Sequence, residues 1–448
     1  MSHLFDLSQF EQRIEPANSQ PFLMVQKTMI LQLRPIAGLL ISTFFLLIGS
    51  GLTGILLPLR AGLEGWSPLT IGFMGAFYAA CFVGGCVYIP RLVRRVGHVR
   101  VYAVVAAMLA ISLMAHAIFV NIPVWFLLRG VAGFALSGAY MVVESWLNER
   151  STNESRGLVF SSYMVTNTVG LMIGQFLLIT SDPALTTLFI LAAMSYAAAI
   201  IPTAVSPAIS PQPPAEVKID IRRLYAMSPV ATVGAFVTGF TFGAWSYQAP
   251  VYGSLLGYSG SQIAIMLVVA MLGGVLLQFP LGRASDKMDR RYVMLAATIV
   301  GIIVSGILTF YEPTNNIALF IAMFVFGGIM MPLYSLVVSH ANDHAEPGAF
   351  IETSSSLLIV YAIGSMVGPI IAGLLIGLIG GSGLFSTILV GFIAFAIFTI
   401  LRLKVADAPT EEERGEFAYT SFGRTQTPEM YQLDPRSDEE VDPSESGV

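Results

Sequence analysis

The chain is short of charge. Of its 448 residues only 11% are Asp, Glu, Lys or Arg, while 55% are hydrophobic, against roughly 25% and 45–50% in an ordinary soluble domain. That composition excludes a soluble enzyme, and 23 bases against 28 acids exclude a nucleic-acid binder. Lysine is scarcest: Lys27, Lys218, Lys287 and Lys404 complete the set, and none follows a Gly-x-x-x-x-Gly-Lys-Ser/Thr loop, so the chain carries no ATP site. The two cysteines, Cys81 and Cys86, lie in one apolar stretch and read as small core residues rather than a disulfide framework. The alternating pattern of a β-barrel is missing. So are the paired acids or His-rich clusters of a membrane enzyme. His340 and His344 share a helical spacing, but two ligands fall short of a zinc site, so they read as a solvated helix end; neither a metal nor a cofactor is expected.

What the chain has is long apolar runs. About 20 mainly apolar residues make a helix that crosses a hydrocarbon core roughly 30 Å thick. Twelve such stretches occur, at about 35–59, 68–90, 101–119, 122–147, 157–179, 184–204, 229–256, 260–281, 292–311, 316–340, 349–379 and 383–402. The expected fold class is an all-α membrane protein with twelve transmembrane helices. The first run is too long, and too far from Met1, for a cleaved signal peptide.

Charge then sets orientation and division. With the N-terminus inside, 21 of the 23 Lys and Arg residues fall in cytoplasmic segments. Both termini are therefore expected in the cytoplasm, with the protein in the cytoplasmic membrane. Residues 1–34 read as a cytoplasmic N-terminal segment and 35–204 as a first six-helix bundle. Residues 205–228, with Pro207, Pro211, Pro213 and Pro214, read as a cytoplasmic linker. Residues 229–402 form the second bundle. The remainder, 403–448, carries twelve acids and three bases beyond residue 404 and is expected to be a disordered acidic tail.

The two bundles repeat one another. At an offset of 192, Gly51, Pro58, Gly65, Ser67 and Ile71 recur as Gly243, Pro250, Gly257, Ser259 and Ile263. At 194, Gly133, Tyr140, Ser145, Asn148 and Glu149 recur as Gly327, Tyr334, Ser339, Asn342 and Asp343, and Gly170 with Gly174 as Gly364 with Gly368.

Two six-helix pseudo-repeats joined by a cytoplasmic linker resemble the major facilitator superfamily (MFS). The resemblance covers about residues 35–402. Its loop signature, Gly-x-x-x-Asp-Arg/Lys-x-Gly-Arg-Arg/Lys, is matched from Gly282 through Asp286 and Lys287 to Arg290 and Arg291, with Asp289 at the second glycine position. In the first half Pro90 and Arg94 replace the Gly and Asp, which removes that half's acid from the family's charge relay. The run from Glu144 to Arg150, with Arg156-Gly157 and the Arg94–Arg100 loop, is similar to the YcaD-like branch. The resemblance implies a transporter with its site between the halves. Arg129 and Gly133 match the fourth-helix Arg-x-x-x-Gly signature of proton-coupled members, which implies a coupling role for the arginine. The family's antiporter Gly-Pro falls on Gln175 in the fifth helix and occurs only as Gly368-Pro369 in the eleventh.

The residues themselves suggest where the chemistry lies. A charge inside a membrane helix faces protein or water. At about 100° per residue, Arg129, Gly133, Ser137, Tyr140 and Glu144 project within an arc of about 80°, giving one polar face with Arg129 at a cavity. The competing placement has Arg129 snorkelling to the outer surface. Near the cytoplasmic end, Glu144 could exchange a proton, but its position near the inner surface favours a latch with Arg94, Arg95, Arg100 and Arg156, and Asp286, Arg290 and Arg291 are expected to form the counterpart. Asn167, Gln175, Trp245, Tyr247, Gln248, Tyr334 and Tyr361 are candidates for lining the cavity or bonding between helices. Gly170, Gly174, Gly364 and Gly368 allow close helix approach, and Pro369 should bend its helix.

The function expected is a secondary active transporter that moves a small organic solute by alternating access, coupled to protons. Its partners are then that small-molecule substrate, protons and the lipid bilayer, with no nucleic acid, and it acts as a monomer. A lone arginine among aromatics suits an anionic, zwitterionic or amphipathic solute. The alternatives are a transporter-derived sensor signalling through the acidic tail, and an uncoupled facilitator.

Overall fold

The computed structural model describes residues 36–152, 155–205, 219–311, 315–346, 349–405, 417 and 427–434. Twelve long helices dominate: α1 (Ala37–Leu63), α2 (Pro68–Val96), α3 (His98–Ile118), α4 (Ile122–Glu149), α5 (Arg156–Phe176), α6 (Thr187–Ala198, continued by Ile200–Val205), α7 (Pro229–Leu255), α8 (Gly260–Lys287), α9 (Arg290–Phe310), α10 (Asn316–Asn342), α11 (Phe350–Ile379) and α12 (Ser382–Leu403). Among the described residues, eleven spans are long and apolar enough to cross a membrane. A twelfth is added when α7 is counted with the short helix Ile221–Met227, from which it turns through 119° at Ser228. The expected runs thus coincide with helices, although α2 and α8 extend about two turns beyond their apolar stretches into the basic loops.

Local chemistry fixes the helix starts, and it does so twice. Ser67 caps α2 by accepting from Thr70 N–H, with Pro68 as the first helical residue, and its repeat partner Ser259 caps α8 through a capping box with Gln262. The preceding turns each need a left-handed residue, and Gly65 and Gly257 supply it at φ 75° and 73°.

The repeat extends to packing. Gly51 of α1 lies against the Leu171 carbonyl of α5, and Gly243 of α7 against the Ser365 carbonyl of α11. Gly174 and Gly368 lie in turn against the carbonyls of Ile48 and Phe240, and Gly133 and Gly327 against those of Tyr78 and Ala270. The partners repeat as well, Leu171 and Ser365 at an offset of 194, and Ile48 with Phe240 and Tyr78 with Ala270 at 192. A Cβ at any of the six would overlap a backbone atom of the neighbouring helix, so the small residues are what let the backbones meet. The two halves are one packing solution used twice.

Between the halves, α2 meets α11 and α1 and α2 meet α7. The contact is tight at the end away from the basic loops. There Gly72 approaches the Pro369 carbonyl, Gly373 approaches the Pro68 carbonyl, and the Gln248 amide donates to Pro68 O at 2.8 Å and Pro369 O at 3.2 Å. The helix α11 runs through Pro369 as one element.

Two expectations are corrected at the basic end. The linker is not wholly irregular, because Ile221–Met227 is helical, capped by the Asp220 side chain on Arg223 N–H. The tail is not wholly disordered either. Pro428–Gln432 forms a short 3₁₀ helix between α4 and α11, with Met430, Tyr431 and Leu433 fully buried. The acidic composition of the tail concealed this apolar triplet.

Candidate functional site

The space between the halves is bordered by α2, α7 and α11. A cavity of about 50 Å³ is lined by Tyr78, Phe82, Phe242, Tyr247, Tyr361 and Ser365 among others, and is almost wholly apolar. Beside it, a second of about 80 Å³ is lined by Tyr140, Gln175, Trp245, Ser246 and their neighbours, and is more polar. Both draw on the two halves, as the repeat symmetry requires of a central site.

Arg129 lines neither of these cavities but a smaller one of about 20 Å³ within the first half, shared with Ser50, Thr53, Tyr78, His116 and Tyr196. Arg129 is 4% exposed, so the snorkelling placement is excluded. Its Nη2 donates to the Tyr247 hydroxyl at 3.0 Å, and its guanidinium carbon lies 4.1 Å from the centroid of the Tyr78 ring. Tyr78 and Tyr247 pack edge to face with centroids 6.4 Å apart. The cation is thus held by one tyrosine from each half, and no carboxylate among the described residues pairs with it. Aromatic faces stabilise a desolvated cation by about 2 kcal/mol, well short of the cost of removing it from water. A buried guanidinium with spare donors is chemically suited to an anion.

The rest of the predicted polar face divides. Gly133 and Ser137 are helix contacts, Gly133 against Tyr78 and Ser137 bonded to Phe134 O beneath Gly85 of α2. Tyr140 reaches the second cavity. Among the candidate lining residues, Gln175 and Trp245 line the second cavity and Tyr247 and Tyr361 the first. Gln248 is instead an interhelical clamp. Asn167 is buried on α5 one turn from Tyr163, and Tyr334 packs against Tyr361 with ring centroids 4.7 Å apart and planes tilted by 57°. Gly170, Gly174, Gly364 and Gly368 all serve close packing. Sequence reasoning missed Tyr78, which stands on α2 where that helix meets Gly133 of α4 and carried no signal until the α2–α4 contact was known.

The first-half latch does not form as expected. Glu144 is fully buried, and its carboxylate accepts from Tyr163 OH at 3.1 Å and from the backbone N–H and hydroxyl of Thr427, not from Arg94, Arg95 or Arg156. Arg94, Arg95 and Arg100 are exposed at the ends of α2 and α3. The second-half cluster does form and is larger than its motif. Arg290, 1% exposed, binds Asp343 at 2.7 Å, Ser285 Oγ at 2.9 Å and Asp286 at 3.5 Å. Arg291 pairs with Asp289 at 2.8 Å. Burial works to raise the Asp289 carboxyl, but hydrogen bonds from Arg291 and its charge prevail and hold it below the usual carboxylate range. The expectation of a solvated helix end is corrected, because His340 is buried at 3% exposure with its ring centroid 4.6 Å from that of His344; no group of three potential metal ligands occurs among the described residues.

Known proteins share this architecture. The family model described as Major Facilitator Superfamily matches residues 39–260 and 231–429. A relative from Salmonella typhi named as the MFS-type transporter YcaD is 24% identical over 381 residues, 84% of this chain and 97% of its own length. An MFS-type transporter of Enterobacter sp. strain 638 is 24% identical over 379 residues, with the same coverage. Among solved structures, the nucleoside transporter NupG superimposes with a TM-score of 0.68 at 15% identity, covering 83% of this chain and 99% of NupG. A bacterial homologue of the human lysosomal transporter Spinster, inward-facing and occupied, gives 0.66 at 16% identity, covering 86% and 98%. The fold, the repeat and these matches agree: the chain belongs to the Major Facilitator Superfamily, as a YcaD-like, multi-pass membrane transporter.

Proposed function

We propose that the protein is a secondary active transporter of small organic anions or zwitterions in the cytoplasmic membrane, working by alternating access and coupled to protons. The observation that carries this reading is Arg129: a buried cation without a carboxylate partner among the described residues, held across the interface of the two halves by Tyr78 and Tyr247. A solute that takes up the guanidinium displaces or shares its bond to Tyr247 of the second half, so its binding energy differs between arrangements that bring the halves together and arrangements that part them. The basic loops mark the cytoplasmic end. With that orientation the outer end is shut by the Gly72, Gly373 and Gln248 contacts, and the arrangement corresponds to an inward-facing state.

The test is flux in proteoliposomes. A panel of organic anions, zwitterions and cations is assayed with and without an imposed proton gradient. Saturable movement of an anionic or zwitterionic solute, altered by the gradient and lost in Arg129→Ala, is expected. Undiminished flux of anionic solutes in Arg129→Ala would remove the anion assignment, and flux indifferent to every ion gradient would leave a facilitator.

A further inference from the structure

The strongest feature that the transport reading leaves unused lies in the tail. Residues 427–434 lie between the halves at the end carrying the basic loops, against α4 and α11, where a solute on that side must pass. The contacts are specific and come from both halves. From the first half, Glu144 accepts from the backbone N–H and hydroxyl of Thr427, and the Asn148 amide donates to Gln432 Oε1 at 2.9 Å. From the second, Tyr334 and Tyr431 share a hydroxyl hydrogen bond of 2.9 Å, and Phe350 packs edge to face on the Tyr431 ring. Pro428 forms part of the lining of the cavity that also contains Tyr78 and Tyr247. Further up the tail, the Phe417 N–H donates to Asp286 at 2.8 Å and its ring lies over Gly282, in the signature loop of the second half.

The burial pattern is that of a bound peptide rather than a stray terminus. Thr427, Met430, Tyr431, Leu433 and Asp434 are fully buried and Glu429 nearly so. Asn148 and Tyr334 are repeat positions, the counterparts of Asn342 and Tyr140, so the seat is made from the elements that the two halves share.

We infer that residues 427–434 are a tethered plug, an autoinhibitory segment that closes the basic-loop mouth of the inter-half cavity and must leave before solute exchanges on that side. The inference rests on the transport reading for its consequence, but the docking itself does not. While the plug is seated, it joins α4 to α10 and α11, so it opposes both entry of solute and the relative movement of the halves. Its release opens the mouth and deprives Glu144 of one of its two hydrogen-bonding partners, leaving that carboxylate to water.

Accessibility tests the plug without knowledge of any substrate. In a background with Cys81→Ser and Cys86→Ser, Ser365→Cys places one thiol in the cavity beyond Pro428. A membrane-impermeant maleimide is applied from the basic-loop side to the full chain, to a chain ending at residue 426, and to a full-length Met430→Asp/Leu433→Asp variant. The plug predicts that both altered forms label at least tenfold faster than the full chain. A short bis-maleimide should also join Asn148→Cys to Gln432→Cys in the full-length protein, and Met430→Asp/Leu433→Asp should reduce that product. Equal labelling rates in all three forms, or failure of the cross-link, would overturn the proposal. Faster labelling with no increase in flux of any solute would leave the plug standing and count against transport instead.

Discussion

Arg129 and Tyr247 lie 118 positions apart, in opposite halves of the repeat, and are joined by one 3.0 Å hydrogen bond. It is a contact that parting of the halves at that end must break. The hydroxyl has no counterpart in phenylalanine, so Tyr247→Phe removes the bond while keeping the ring that packs on Tyr78. Hydrogen bonds to charged groups are worth about 1.5–3 kcal/mol. The substitution should therefore bias the equilibrium away from the arrangement seen here, read as faster labelling of Ser365→Cys from the outer face, with the protein still folded.

The six interhelical glycines predict a graded packing test. Gly174→Leu and Gly368→Leu each force a side chain into a backbone carbonyl of the neighbouring helix, and overpacking of this kind costs about 1–3 kcal/mol. Gly62→Ala and Gly377→Ala, whose surroundings hold nothing within 4 Å, should be silent. Thermal unfolding in detergent should separate the pairs, and equal losses would show that close approach is not what the glycines provide.

Arg290 compensates two acids at once. Asp343 is only 3% exposed at its side chain and takes the 2.7 Å contact. Arg290→Ala removes the buried positive charge that faces this carboxylate, and breaking a buried ion pair costs about 3–5 kcal/mol. Arg290→Ala/Asp343→Asn should recover part of the loss in the same thermal assay. No recovery in the double variant would mean that the arginine acts through Ser285 or Asp286 instead.

Docking of the tail should weaken as pH rises. Burial pushes the Glu429 carboxyl up to about 7, opposed by its hydrogen bond with Gln432. Glu144 of α4 and Cys86 of α2 are the titratable groups that face it from the bundle. A carboxyl raised in the docked state favours docking fully below its free value near 4.5, and that advantage is lost as pH climbs through 7. Cross-linking of Asn148→Cys to Gln432→Cys, corrected for thiol reactivity, should fall between pH 6 and pH 8. Glu429→Gln should flatten the profile.

Much of the fold was legible in the sequence, and particular residues show why. A run of twenty apolar residues admits few structures in a membrane, because each backbone group must find its partner within the segment. Gly51 and Gly243, or Ser67 and Ser259, could be paired by counting, and their contacts and caps repeat as well. The site was legible only in part. Arg129 stood out because an intramembrane charge is costly. Tyr78 did not, because an aromatic on an apolar helix looks the same whether it packs or stacks on a cation. Glu144 was placed with nearby arginines on the strength of charge, whereas its partner Thr427 lies 283 residues away in a segment whose acidity argued for disorder.

The central claim is that the cavity between the halves opens at one end at a time, and two-faced labelling of Ser365→Cys in sealed membranes tests it most directly. In the cysteine-substituted chain ending at residue 426, the thiol should react with an impermeant maleimide from the basic-loop face. It should also react, more slowly, from the opposite face, and Gln248→Ala, which removes the clamp on Pro68 and Pro369, should raise the opposite-face rate while lowering the basic-loop-face rate. Labelling from one face only, unchanged by Gln248→Ala, would contradict the account.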